Sequence, residues 1–168
     1  DRWDWATGKK ATEEDCLRYV QSAAEHMGGT LSDAYDEMVR RELYDLHPSA
    51  NKAAGSYETY LTSFAAPFIL VNPMGDMSDL LTFAHEFGHF ANDYAVYGTY
   101  TSADVAEVLS QSMEYLSLSY ADALPEEDMA QLRHLSMCNA LETYVLQMAF
   151  YSFEQEVYKL TGDQLTEE

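Results

Sequence analysis

The segment His85-Glu86-Phe87-Gly88-His89 constrains this chain more than any other part of it. Its two histidines are four residues apart. On an α-helix, residues i and i+4 share one face, about 40° apart around the axis. Both imidazoles can then reach a single metal ion. Glu86 sits next to that face, close enough to touch a water at the metal without being a ligand. Two histidine nitrogens plus a carboxylate, with a fourth position left for water, suit Zn2+. Such an ion lowers the pKa of water toward ~7. Glu86 can take the proton and later pass it to a leaving amine. These residue types at this spacing point to metal-assisted hydrolysis of an amide.

The motif demands a third ligand, and Glu107 is placed to be one. Asp104-Val105-Ala106-Glu107 opens the next expected helix, so only a helix end and a turn separate His89 from Glu107. A helix-turn-helix of this length can return Glu107 to the first helix. On its own, Glu107 reads as a solvated acid. Val105, Ala106, Val108 and Leu109 around it read as a buried or half-buried face, where a carboxylate needs a partner. Glu114 lies two turns further along the same face. It can accept the free imidazole N–H of His85 or His89 and fix the tautomer, with Asp104, Ser110 and Gln111 as competitors. Gly88 costs ~1 kcal/mol relative to Ala inside a helix. Close approach of another backbone beside the metal would offset that.

Around the motif the chain reads as mostly helical, with two extended segments in the middle. Thr12 with Glu13, Glu14 and Asp15 reads as a helix start, and Gly28-Gly29 as its stop. A second helix is expected from about Ser32 to Tyr44. Tyr57 to Ser63 and Pro67 to Asn72 read as strands, Pro67 fitting a first or an edge position. The motif helix starts at Asp76 or Ser78 and ends at Gly98. The next runs from near Ser102 to about Ala123. Pro125 then opens a long helix to Leu160 as its first residue, with Met129, Leu132, Leu135, Leu141, Val145 and Met148 at helical spacing. Met113, Met129, Met137 and Met148 read as core filler. Tyr57, Tyr60, Tyr94, Tyr97 and Tyr100 are near the site in sequence. One of them could donate to an oxyanion, and each also reads as packing.

Charge removes several partners from consideration. Nine Lys+Arg against 29 Asp+Glu give a formal net charge of −20. A surface this acidic cannot grip nucleic acid or an anionic membrane electrostatically. No stretch approaches the ~18 apolar residues of a membrane span, the longest uncharged run, Thr59 to Gly75, being broken by Pro67, Asn72 and Pro73. No basic region followed by an apolar run marks a leader. Cys16 and Cys138 form no CxxC, which suits a reduced chain. The start at Asp1, and an end at Thr166-Glu167-Glu168 that reads as the first turn of another helix, are expected of a fragment.

The HEFGH form is followed by Asp104-Val105-Ala106-Glu107-Val108-Leu109-Ser110-Gln111-Ser112-Met113-Glu114. Together they resemble the thimet oligopeptidase/oligoendopeptidase F family of zinc peptidases. Lys52 to Asn72 resembles that family's Gly loop and strand before the metal helix. Phe150 to Leu165 resembles the oligoendopeptidase F branch. The resemblance covers most of the chain and is weakest over Asp1 to Leu46. It implies His85, His89 and Glu107 as ligands of one zinc and Glu86 as general base. It implies a mainly α, zincin-like metallopeptidase core with a short β-strand pair beside the HExxH helix, residues 1–168 being a single domain cut from a larger peptidase. Pro67 to Asn72 would be the edge strand that pairs with an extended peptide. Short peptides, the cytoplasm and the remainder of the full-length chain follow as substrate, location and partner.

Two departures stand out. Asn92 replaces a histidine common in the family, and the stretch from His89 to Glu107 is shorter than usual. Family Tyr and His groups that bind substrate would lie beyond this chain, so the fragment is expected to bind zinc and to cleave peptides poorly. Two other classes compete: a non-catalytic peptide-binding scaffold, and a zinc hydrolase acting on a non-peptide amide.

Overall fold

Thr12 opens the first helix, α1 (Glu13–Met27). Its Oγ1 accepts the Asp15 N–H at 3.2 Å while its own N–H donates to the Asp15 carboxylate at 2.9 Å. These reciprocal bonds satisfy two amides that a helix start leaves free. The computed structural model describes residues 8–99 and 102–164. The expected helical turn at Thr166-Glu167-Glu168 and the candidate Tyr100 lie outside them. After Gly28 and Gly29, α2 (Thr30–Arg40) stops four residues short of the expected Tyr44. Glu42 turns the chain with φ +53°, and Tyr44–Asp45 become a strand, β1. Leu43 and Leu46 flank β1 and bury in the core, which anchors the reversal.

β2 (Gly55–Leu61) and β3 (Ala66–Asn72) form an antiparallel hairpin, in register from Gly55 opposite Asn72 to Leu61 opposite Ala66. β1 adds in parallel on the other side of β3, Tyr44 opposite Ile69. The expected strand pair is thus three strands in the order β1-β3-β2. This corrects the reading of Pro67–Asn72 as an edge: it is the central strand, and among the described residues β1 and β2 are the edges, β2 the longer. Ala66 to Val71 is an unbroken apolar run, the pattern of a strand covered on both faces. Lys52 fixes the approach to β2. Its ammonium, with a side chain only 11% exposed, donates to the Asp45 carboxylate at 2.7 Å and to the Val71 carbonyl at 3.1 Å.

The motif helix is α3 (Ser78–Val96). Asp76 accepts the Ser78 N–H at 2.9 Å, and the buried Asp79 reaches back to the amides of Met74, Gly75 and Asp76. The helix ends at Val96, where Tyr97 and Gly98 turn left-handed. A Cβ on Gly98 would lie 2.4 Å from the Tyr60 ring, so that close approach also requires glycine. α3 runs through the middle of the core. Phe83, Phe87 and Phe90 are fully buried among Tyr19 and Val20 of α1, Met38 of α2 and Ile69 of β3. Tyr35 meets Phe87 edge-on at 6.0 Å. Burying each such ring contributes roughly 1.5–3 kcal/mol.

α4 (Ala103–Tyr120) packs antiparallel-wise back along α3, and α5 (Glu126–Val157) follows Pro125, which caps that helix instead of being its first residue. α4 ends before the expected Ala123, and α5 before Leu160. In α5 only Met129, Leu132, Leu135 and Ser136 are buried. Met137 and Met148, read as core filler, are exposed, as are Leu141 and Val145. The architecture is mainly α, five helices around a small sheet among the described residues. None of those helices is long and apolar enough to cross a membrane.

Candidate metal centre

His85 and His89 project from one face of α3, their rings edge to face with centroids 5.1 Å apart. Glu107 approaches from the first turns of α4. One carboxylate oxygen lies 3.3 Å from His85 Nε2 and the other 3.6 Å from His89 Nε2. Ligands about 2.0–2.1 Å from a tetrahedral centre stand about 3.4 Å from one another. The two nitrogen-to-carboxylate distances are close to that spacing, and one atom from each of the three residues falls within 4.8 Å of the others. This donor set fits a divalent cation such as zinc.

Three neighbours hold the trio. Ser110 Oγ donates to Glu107 Oε2 at 3.1 Å. Glu114 Oε2 lies 3.6 Å from His85 Nδ1, on the ring edge facing away from Glu107. Of the four candidates for orienting a ligand, Glu114 thus meets His85 and Ser110 meets Glu107. Gly88 allows α4 to come this close. A Cβ there would lie 2.6 Å from Ser110 Cα, 2.9 Å from Met113 Cβ and 3.1 Å from the Leu109 carbonyl. The missing side chain is filled by another helix's backbone, as its position beside the motif required.

Glu107 is reached by a different route from the one its neighbours indicated. Its side chain is half exposed, and Val105, Val108 and Leu109 are exposed as well. α4 instead turns Ser110, Met113 and Ser117 to the interior, with the small Ser110 and with Met113 packed where Gly88 has no side chain. Glu107 and Glu114 flank Ser110 on that stripe.

Glu86 is 5% exposed, and Ser56 Oγ of β2 donates to its Oε1 at 2.7 Å. Ser56 has no signal in the local sequence, since thirty residues separate the partners. The electrostatics divide the two histidines. The Glu114 carboxylate opposite Nδ1 raises the His85 pKa above its ordinary 6.5, whereas burial lowers that of His89. Burial, with Asp93 and Glu86 nearby, pushes the Glu58 carboxyl up to about 8. Burial also raises Asp93.

Two open clefts meet over Ser56, His85 and Glu86. One, about 650 Å³, runs toward α5; the other, about 630 Å³, runs past Glu58 and Asp93 toward Thr99 and Ala106. Tyr57 lines the second cleft. Of the other tyrosines considered, Tyr60 packs on Gly98, Tyr94 packs against the core and Tyr97 points to solvent. Tyr115 and Tyr144 line the first cleft.

Residues 29–168 match the sequence profile of Peptidase family M3. Oligopeptidase PepF of Bacillus subtilis (strain 168) is 29% identical over 176 residues, covering 96% of this chain and 25% of that protein. The solved structure of PZ peptidase A with inhibitor 2 matches at a TM-score of 0.68 and 26% identity, over 76% of this chain and 24% of that one. A Bacillus anthracis str. Ames structure described as an oligoendopeptidase F matches at 0.68 and 25% identity, over 76% and 25%. The chain spans about a quarter of the length of these relatives.

Proposed function

The chain belongs to peptidase family M3, and from that premise we propose that it carries the catalytic core of a zinc metalloendopeptidase acting on short peptides. The observation that carries this reading is the convergence of His85, His89 and Glu107 beside the buried Glu86. The names of the relatives support a peptide as substrate, and the open edge of β2 supports it physically, since an extended peptide can add there as a strand. Residues 1–168 are read as one domain of a larger cytoplasmic peptidase, whose remaining chain is their partner.

His85 Nε2, His89 Nε2 and the Glu107 carboxylate would hold the zinc. When bound, the metal supplies a Lewis acid that acidifies water and polarises a carbonyl. Glu86 does the proton work. Ser56 holds its Oε1, leaving Oε2 to take the proton of the attacking water. As the C–O bond forms and the C–N bond breaks, Glu86 returns that proton to the amine. Ser110 keeps the Glu107 carboxylate turned toward the histidines, and Glu114 keeps the His85 Nδ1 proton in place, so that Nε2 is the free lone pair.

The test is cleavage of an internally quenched peptide by the zinc-loaded chain and by its full-length parent. Cleavage that chelation abolishes, and that Glu86→Gln abolishes with zinc still bound, supports the assignment. Loss of zinc in Glu86→Gln would mean that Glu86 is a ligand instead of the base. A parent that binds peptide without cleaving it would favour the scaffold reading.

A further inference from the structure

The distal half of α5 carries polar residues on the side that faces the cleft and apolar ones on the sides that face solvent. Asn139, Thr143 and Gln147 stand at i, i+4 and i+8, one stripe of a helix. That stripe lines the cleft continuous with Ser56, His85 and Glu86. Leu141, Val145, Leu146, Met148 and Phe153, on the other faces of the same segment, are exposed. A surface helix ordinarily turns its apolar side to the body of its domain and its polar side to water. Here the side turned to the cleft is the polar one, which marks that cleft as a place for a polar ligand.

The chemistry of the stripe narrows the ligand. Asn139, Ala140, Thr143, Tyr144 and Gln147 are the α5 residues at the cleft, and none is charged. Asn and Gln each offer a carbonyl acceptor and an NH₂ donor. That is the complement of a peptide group, which presents one N–H and one C=O. Asn139 Oδ1 is buried and has no hydrogen-bond partner among the described residues. A buried acceptor left unpaired costs about 1–3 kcal/mol. Across the cleft stands Ser56, on the free edge of β2.

We infer that α5 is the second wall of the substrate cleft, with Asn139 and Gln147 hydrogen-bonding the main chain of a bound peptide opposite the β2 edge. This rests on the peptidase reading above and adds to it a recognition element on a separate helix. Recognition of main-chain groups is independent of side chain, so the wall serves many peptide sequences.

The experiment uses the zinc-loaded Glu86→Gln chain, in which removal of the base is expected to leave peptide bound and uncleaved. A neutral ten-residue peptide and a series with one backbone amide N-methylated at a time are titrated calorimetrically. Asn139→Ala and Gln147→Ala are each expected to weaken the parent peptide about three- to tenfold, the worth of one hydrogen bond, with zinc content unchanged. Each loss should disappear against the one peptide whose methylated amide faced that residue. A merely structural role would not produce that pairing. Gln147 is exposed, so its truncation leaves the fold intact and keeps the test decisive if Asn139→Ala misfolds. Affinity unchanged in Gln147→Ala, or losses additive with every methylation, would overturn the inference and leave the peptidase assignment standing. No peptide binding by the zinc-loaded Glu86→Gln chain would overturn the inference, and chelator-sensitive cleavage by the full-length parent would still decide the peptidase reading separately.

Discussion

Ser56 Oγ donates to Glu86 Oε1 at 2.7 Å, a bond that ties the free edge strand to the centre of the HExxH helix. It fixes one oxygen of the proposed base and so determines which oxygen faces the cleft. In Ser56→Ala that oxygen loses its donor. Hydrogen bonds to charged groups contribute about 1.5–3 kcal/mol, so turnover is expected to fall roughly ten- to a hundredfold. Zinc content should stay unchanged. Steady-state kinetics on a peptide, with metal analysis of the same sample, measures both.

Gly88 is the point where α3 and α4 touch. In Gly88→Ala the new Cβ meets Ser110 Cα and the Leu109 carbonyl, and backbone cannot give way as a flexible side chain can. Overpacking of this kind costs about 1–3 kcal/mol. Separation of the helices also moves Glu107 away from His85 and His89. Thermal unfolding should show a lower Tm, and a zinc competition titration a weaker affinity. Intact zinc affinity alongside the lower Tm would mean that Glu107 does not depend on this contact.

Zinc affinity should fall with pH, because the metal needs neutral imidazoles. The Glu114 carboxylate raises the His85 pKa above 6.5, so protons begin to compete with the metal above that value as pH is lowered. Glu114→Gln removes the cause and moves the onset to lower pH. It also releases the Nδ1 side of the ring, which at pH 7.5 should weaken zinc about ten- to a hundredfold. Zinc competition titrations from pH 5 to 8 on both proteins separate the two effects.

Glu58 makes the apoprotein less stable as pH rises. Its folded pKa of about 8 lies above its ordinary 4.5, so between those values the native state binds the proton more tightly than the unfolded chain does. The Glu58 contribution to stability is therefore largest at or below pH 4.5, falls through that window and levels off above 8. Glu58→Gln removes this dependence. With a chelator present, the variant should melt higher than the parent at pH 9, and its advantage should shrink toward pH 4. Equal melting at both pH values would contradict the account.

His85, Glu86 and His89 were legible because helical periodicity is local: four residues suffice to place two rings on one face. The capping box at Thr12 and the turn at Gly98 are local in the same way. Glu107 lies beside the histidines for a reason its sequence neighbours do not give. The apolar residues around it are exposed, and the small residues Ser110 and Ser117 bring the helices together. The order of the sheet was hidden because β1 joins β3 across more than twenty residues, and nothing within Tyr44–Asp45 announces that pairing. The far half of α5 kept its helical spacing but lacked a core to face. Spacing reports which residues share a face, while the neighbour of that face depends on the rest of the molecule.

The central claim is that His85, His89 and Glu107 form one metal site, and metal content tests it most directly. The purified chain is loaded with zinc, desalted and assayed by elemental analysis, with His89→Ala and Glu107→Ala in parallel. About one zinc per chain is expected, lost or greatly weakened in each variant while circular dichroism shows the helices retained. A folded chain that takes up no zinc, or variants that keep it at full stoichiometry, would contradict the assignment of these three residues.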